Sequence, residues 1–384
     1  MSINITSNKD CCGCSACASI CSHNAITMVP DNLGFLYPIL NLELCVNCGL
    51  CEKVCQFHDD YNRYDNYRIP QPYQYRLNND EQLKKSQSGG AFYAIATHII
   101  ANGGIVYGAA FTDDWKVVHK KANDANSLEM LRMSKYVQSD MRGVFAQVKE
   151  ELKKGFTVLY SGTACQVAGL KSYLPNKFHE NLYCVDIVCH GVPSPKFWND
   201  YIIYLQKSRK SKIVKACFRD KRFGWHGARE SFLFDNGREE FRRTNNYLYF
   251  AGYTMRDSCS QCHYTNLKRV GDITLGDHWG VPKDSPYEDD KGLSLVIVNS
   301  KKGLQLFENA NLSNCAEPIT LKECLQPQLQ MPSTLNINRQ KFIAEYESRG
   351  FLYVAKKYSD MGWRYKKDQF INIIKNWVLT LVKR

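Results

Sequence analysis

From Ser86 onward, short apolar runs alternate with longer amphipathic ones. Ile105–Phe111, Phe156–Tyr160, Leu182–Val188 and Leu293–Val298 are apolar nearly throughout, the pattern of strands buried on both faces. Ala91–Ala101, Ser139–Lys154, Gln166–Tyr173 and Lys302–Ala310 read as helices, with Asn102-Gly-Gly104 and Gly155 as stops. An Asp113-Asp114 turn leads from Ile105–Phe111 into another short strand, and Ser161-Gly-Thr-Ala-Cys165 reads as a loop between a strand and its helix. Strand, loop, helix, strand predicts a parallel α/β unit, whose ligands collect beyond the carboxyl ends of the strands. Cys165 and Cys189 fall there. Residues 213–250 read as antiparallel strands around an Asp235-Asn-Gly237 turn.

Residues 1–60 follow another pattern. Two short strands, Asn24–Met28 and Gly34–Ile39, flank an Asp31–Gly34 turn, and nine cysteines surround them. So small a unit cannot fold on its own apolar core, so metal must hold it together. Residues 61–85 are polar and tyrosine-rich and read as a linker or surface crossing. Residues 86–325 form the larger domain. Residues 326–384 form a basic, aromatic tail in which Phe370–Val382 has helical spacing. That spacing fits a packed helix, a partner-subunit face or, at most, peripheral contact with anionic lipid.

Composition narrows the class. The chain has 384 residues, 44% hydrophobic and 23% charged, so it can bury a core and is not disordered as a whole. No apolar run approaches the roughly 18 residues of a membrane span, and no signal peptide is visible, so a cytoplasmic location is expected. In a reducing compartment 17 cysteines suggest ligands more than disulfides. The formal charge of +12 counts every thiol as neutral. A 4Fe-4S core with four thiolates sums to about −2, so three such centres would leave about +6. The basic balance therefore argues weakly for nucleic acid, and no recognition helix or basic–aromatic stripe supports it. An acidic redox partner or anionic cofactor explains it equally well.

The strongest motif is Cys11-x2-Cys14-x2-Cys17-x3-Cys21 followed by Cys45-x2-Cys48-x2-Cys51-x3-Cys55, the two-cluster bacterial ferredoxin spacing. One cluster should take Cys11, Cys14, Cys17 and Cys55, the other Cys45, Cys48, Cys51 and Cys21. Zinc also suits paired CxxC, but two identical four-cysteine runs favour iron–sulfur. Cys12 is spare. Ser22 and Gln56 stand where proline usually follows the fourth cysteine.

The larger domain carries Gln87-Ser-Gly-Gly90, Ser134-Lys-Tyr-Val-Gln-Ser139, Ser161-Gly-Thr-Ala-Cys-Gln166, Asp186-Ile-Val-Cys-His-Gly-Val-Pro-Ser194, Cys259-Ser-Gln-Cys262 and Gly271-Asp-Ile-Thr-Leu-Gly-Asp-His-Trp-Gly280. In this order the segments resemble the beta-subunit family of coenzyme F420-reducing hydrogenase and F420-linked dehydrogenases, to which 7-hydroxymethyl chlorophyll a reductase is also similar. Ala164 departs from the proline frequent there. The resemblance implies an α+β ferredoxin-like domain fused to an α/β flavin- and iron–sulfur-binding domain, with FAD and at least one 4Fe-4S cluster. Cys165, Cys189, Cys259 and Cys262 supply the four thiolates of a third cluster.

No GxGxxG fingerprint is present, so the flavin pyrophosphate needs other donors. Candidates are Ser88, Gly89, Gly90, Lys135, Ser161, Gly162, Thr163 and Gln166, with Arg219 and Lys221 in a polar run suited to covering an anionic ligand and Asp277 and Trp279 lining the pocket. His190, Lys135 and Asp186 are the candidate catalytic groups, His190 as a proton relay. The expected activity is electron exchange between an organic two-electron substrate, F420-like or other, and ferredoxin or another one-electron carrier. The alternative is an electron-transfer subunit of a larger redox complex. A partner subunit or homo-oligomer fits either reading.

Overall fold

A computed structural model describes residues 9–58 and 66–362. The Phe370–Val382 segment lies outside the described residues. The expected hairpin forms from β1 (Ile26–Pro30) and β2 (Leu36–Leu40), paired antiparallel around the Asp31 turn, where the Asp31 carboxylate accepts from the N–H groups of Leu33 and Phe35.

The remaining strands are β3 (Gln71–Tyr75), β4 (Ile105–Phe111), β5 (Val117–Ala122), β6 (Val158–Thr163), β7 (Leu182–Ile187), β8 (Ile213–Cys217), β9 (Glu230–Phe234), β10 (Glu239–Arg242), β11 (Ile273–Asp277), β12 (Ser294–Val298) and β13 (Ala316–Pro318). One mixed sheet runs β13-β3-β12-β11-β7-β6-β4-β5. Its centre, β4, β6, β7 and β11, is parallel, as expected, while the flanking strands pair antiparallel. The parallel strands are buried on both faces because their residues alternate between two cores. Ile105, Tyr107, Val158, Tyr160, Leu182 and Cys184 face one core, and Val106, Leu159 and Val185 the other. Strands β8, β9 and β10 make a separate antiparallel sheet, with Gly237 at φ +80° in the predicted turn.

Several expectations are corrected. Ser161–Thr163 is not a loop. It extends β6 and pairs with Val185–Ile187, and the Ala164–Tyr173 helix follows at once. Gln166 Oε1 accepts from the Thr163 N–H at 3.0 Å, which closes the helix start without a connecting loop. The helix expected from Ser139 runs only Val144–Lys153, because Asp140 bridges to Val118 and Gly143 turns at φ +77°. Residues 244–250 form a helix, not a strand. Within the expected linker, Gln71–Tyr75 is a strand inside the sheet between β12 and β13. Residues 339–349 and 351–358 are helices packed through Phe342, Tyr346 and Val354. No helix among the described residues is long and apolar enough to cross a membrane.

The N-terminal segment does not stand apart. Ala16, Cys17, Met28, Cys51 and Val54 share one core with Phe145, Val148, Val167 and Ala168 of the larger domain. That shared burial supplies the apolar support a 60-residue unit lacks.

A candidate iron–sulfur site at the domain junction

The two cysteine runs repeat in backbone as well as spacing. Gly13 and Asn47, at matched positions, have φ +70° and +55°, and Ser15 and Gly49 have +65° and +71°. These left-handed turns curl each loop around its cysteines. A cavity of about 20 Å³ is lined by Cys11, Cys14, Cys17 and Cys55, the set expected for one cluster. Cys21, Cys45, Cys48 and Cys51 lie elsewhere. Backbone N–H groups of Ala25 and Asn47 point at the sulfurs of Cys21 and Cys45 (3.3 and 3.4 Å), and Cys48 is exposed.

A second cavity, about 50 Å³, gathers Cys165, Cys189, Cys259 and Cys262. They arrive from three segments. Cys165 lies in the first turn of the Ala164–Tyr173 helix, Cys189 just beyond β7, and the CxxC pair in the turn around Asp257–Gln261. Burial pushes Cys189 up to about 12 and Cys262 up to about 11, and raises Cys259 strongly. Cys165 is lowered to about 7, chiefly by its contact with the Cys12 thiol. A bound cation would therefore displace protons from most of these thiols. The donor chemistry of both cavities fits a thiolate-ligated iron–sulfur group.

Cys12 is not spare in position. It lines both cavities, and its thiol is within hydrogen-bonding reach of Cys14 and Cys165. Gln56 explains the missing proline. Its Nε2 donates to the Cys165 carbonyl at 2.6 Å and to Cys12 Sγ at 3.4 Å, and its Oε1 accepts from Tyr264. A proline there has no such donor.

His190 lines the thiol cavity. Its Nδ1 meets Gln328 Nε2 at 3.0 Å and Ser333 Oγ at 3.2 Å, its ring lies edge-on to Tyr249 and Phe250, and burial lowers its pKa. Asp186 is different. It is fully buried, and its carboxylate accepts from Arg269 (2.8 Å), Thr274 Oγ1 (2.7 Å) and the Gly271 N–H (2.8 Å). That is a structural counter-ion, not the catalytic group expected.

The expected phosphate cradle is largely committed to the protein. Ser88 Oγ donates to the Leu293 carbonyl, and the Gly89 N–H donates to Ser294 Oγ. A Cβ on Gly89 would lie 2.1 Å from the Tyr75 carbonyl oxygen, so that glycine serves close packing. Gly90, at φ +86°, starts the Ala91–Ala101 helix. Ser161, Gly162 and Thr163 are strand residues. Lys135 donates to the carbonyls of Met130 and Arg132, and burial lowers it to about 7. Lys221 donates to the carbonyls of Leu83, Ser88 and Lys291, and burial lowers it to about 8. What stays open is Gln87, whose carboxamide N and O are both buried without a partner. Arg219, Asp277 and Trp279 do come together. Arg219 pairs with Asp277 at 2.6 Å and lies over the half-exposed Trp279, which stacks on Trp225 at 4.8 Å.

Residues 156–323 match the family of the C-terminal region of the coenzyme F420 hydrogenase/dehydrogenase beta subunit, and residues 10–58 match the 4Fe-4S dicluster domain. The two segments belong to those families. This iron–sulfur chain is thus an electron-transfer, oxidoreductase-type chain related to the F420 hydrogenase beta subunit. A chain of the F420-reducing NiFe hydrogenase complex from Methanosarcina barkeri is similar over 78% of this chain and 95% of that chain, with 16% identity and a TM-score of 0.45. No curated protein matches.

Proposed function

We propose that the chain is an FAD-dependent oxidoreductase with three 4Fe-4S centres, exchanging electrons between an organic two-electron substrate and a one-electron carrier such as ferredoxin. The observation that carries this reading is the convergence of Cys165, Cys189, Cys259 and Cys262 on one cavity next to the cavity of Cys11, Cys14, Cys17 and Cys55. Bound FAD would supply the exchange between paired and single electrons. Among this chain's residues, the unpartnered Gln87 carboxamide and the Arg219–Trp279 surface suit it. From that surface an aromatic run leads inward. Tyr136, within hydrogen-bonding reach of Arg219, touches Tyr249 and Phe250, and both touch His190. A carrier would meet the N-terminal segment, where Cys48 is exposed in a stretch that also exposes Leu42, Leu44, Val46 and Leu50.

A second reading, an electron-transfer subunit without its own substrate site, is favoured by the commitment of Ser88, Gly89 and Lys221 to protein partners. Anaerobic purification with iron, sulfide and flavin analysis separates the readings. Three centres require about twelve iron and twelve sulfide per chain. A value near eight after full reconstitution removes the third centre. No flavin, even after incubation with FAD, leaves the relay.

A further inference from the structure

Arg256 is fully buried, yet among the described residues no carboxylate lies within ion-pair distance of it. Asp257, its neighbour in sequence, is turned to Arg339 at 2.7 Å. The guanidinium donates to the carbonyls of Cys11 (2.8 Å) and Leu36 (3.0 Å) and to Gln138 Oε1 (2.9 Å), and lies over the Tyr37 ring at 4.2 Å. These are neutral partners. A buried charge with only neutral partners is costly, and proteins retain one where an anion offsets it. The anions available here are sulfurs. Arg256 lines the thiol cavity and holds the loop of the neighbouring one, and its field reaches both Cys11 and Cys165. At Gly13, between Cys12 and Cys14, a Cβ would stand 2.9 Å from Arg256 Nη1, so the loop is closed against the guanidinium.

We propose that Arg256 is the shared buried counter-charge of two anionic iron–sulfur centres, one on Cys11, Cys14, Cys17 and Cys55 and one on Cys165, Cys189, Cys259 and Cys262, and that it raises the reduction potential of both. The proposal rests on the three-centre reading above. Each centre gains one negative charge when it accepts an electron, with no bond made or broken, so a fixed positive charge favours the reduced form. Arg256 itself is neither oxidised nor deprotonated. It is a positioning and electrostatic residue, and nothing requires it to touch substrate.

The test uses the full, iron-loaded chain and two variants, Arg256→Gln and Arg256→Lys, in potentiometric titrations followed by electron paramagnetic resonance. Arg256→Gln should disfavour reduction of the two centres by about tenfold or more, a shift of about 59 mV toward negative potential for a one-electron couple. The centre on Cys21, Cys45, Cys48 and Cys51, whose cysteines line neither cavity, should stay at its parental potential and serves as the internal reference. Arg256→Lys should keep all three near parental values. Unmoved potentials in the Gln variant, an equal shift of all three centres, or a Lys variant that behaves like Gln would each overturn the proposal. Parental protein holding only eight iron would also overturn it, but through failure of the three-centre reading, visible before any variant is made.

Discussion

Gly169 sits in the buried face of the Ala164–Tyr173 helix, where alanine would ordinarily be the better residue. The intrinsic gain of Gly169→Ala is about 0.8–1.0 kcal/mol. Steric crowding opposes that gain. The added Cβ would lie 2.9 Å from Cys14 Sγ and 3.0 Å from Cys14 Cβ, with Gln56 Nε2 at 3.4 Å. Rotating the thiol away relieves the first contact but not the second. The Cys14 Cβ moves only with its loop, and that loop is held by Gln138 on the Cys12 carbonyl (2.7 Å) and Arg256 on the Cys11 carbonyl. Overpacking of this kind costs about 1–3 kcal/mol. The net loss is then about 0–2 kcal/mol, and its size depends on whether Cys14 is tied to metal. In the iron-free chain the thiol turns and the change should be near zero. In the loaded chain the sulfur is fixed, so the variant should hold less iron and release it faster to a chelator. Denaturant melts of the iron-free chain and timed iron release from the loaded one separate the two states. Parental iron content with parental release kinetics would show that Cys14 does not hold metal against this helix.

Asp186→Asn should destabilise the chain by about 3–5 kcal/mol by leaving the buried Arg269 uncompensated, and a cavity-side role would instead leave stability unchanged and alter redox behaviour. Glu230 is buried and its carboxyl is pushed up to about 8 by that burial, with Asp360 acting in the same direction. Folded and unfolded forms are both protonated below the ordinary carboxylate range. Stability should therefore be complete there and fall by up to about 5 kcal/mol as pH rises from that range through 8, levelling off above it. Glu230→Gln should flatten that slope in urea melts of the iron-free chain, and an unchanged slope refutes the assignment. Cys12→Ser should retain the full iron complement, whereas loss of four iron per chain would make Cys12 a ligand.

The dicluster segment was readable because thiolate spacing is imposed by the metal itself, and the cavity of Cys11, Cys14, Cys17 and Cys55 gathers one of the two sets expected. The parallel strands were readable because burial on both faces leaves continuous apolar runs such as Ile105–Phe111. Strand β3 was hidden for the opposite reason. Gln71-Pro-Tyr-Gln-Tyr75 buries only Pro72 and Tyr75 fully, and its polar positions resemble a surface crossing. The larger-domain thiols were legible as cysteines near strand ends, but Arg256 was not. A lone arginine beside Asp257 reads as an exposed pair until the fold turns the two side chains apart. The commitment of the glycine and serine cradle to protein partners was hidden because glycine has two uses. At Gly89 the need was close approach of Tyr75 and Ser294, which no local pattern distinguishes from phosphate binding.

The junction is held by side chains that bind backbone carbonyls. Arg256 binds those of Cys11 and Leu36, Gln138 that of Cys12, Ser172 that of Val54 and Gln56 that of Cys165. Recognition of carbonyls fixes a loop's path without specifying its side chains, so the ferredoxin-like run can keep a spacing common to many proteins while its placement depends on this larger domain. Four of these five bonds reach across to carbonyls of the N-terminal segment and one returns from it. The shared core of Cys17, Met28, Val54, Phe145 and Val167 acts in the same direction. The N-terminal segment is therefore one wall of the thiol junction, not a plug-in module behind a linker. The relative position of the two cavities is set by the same contacts that stabilise the fold, and a substitution that loosens Gln138 or Gln56 would alter both together.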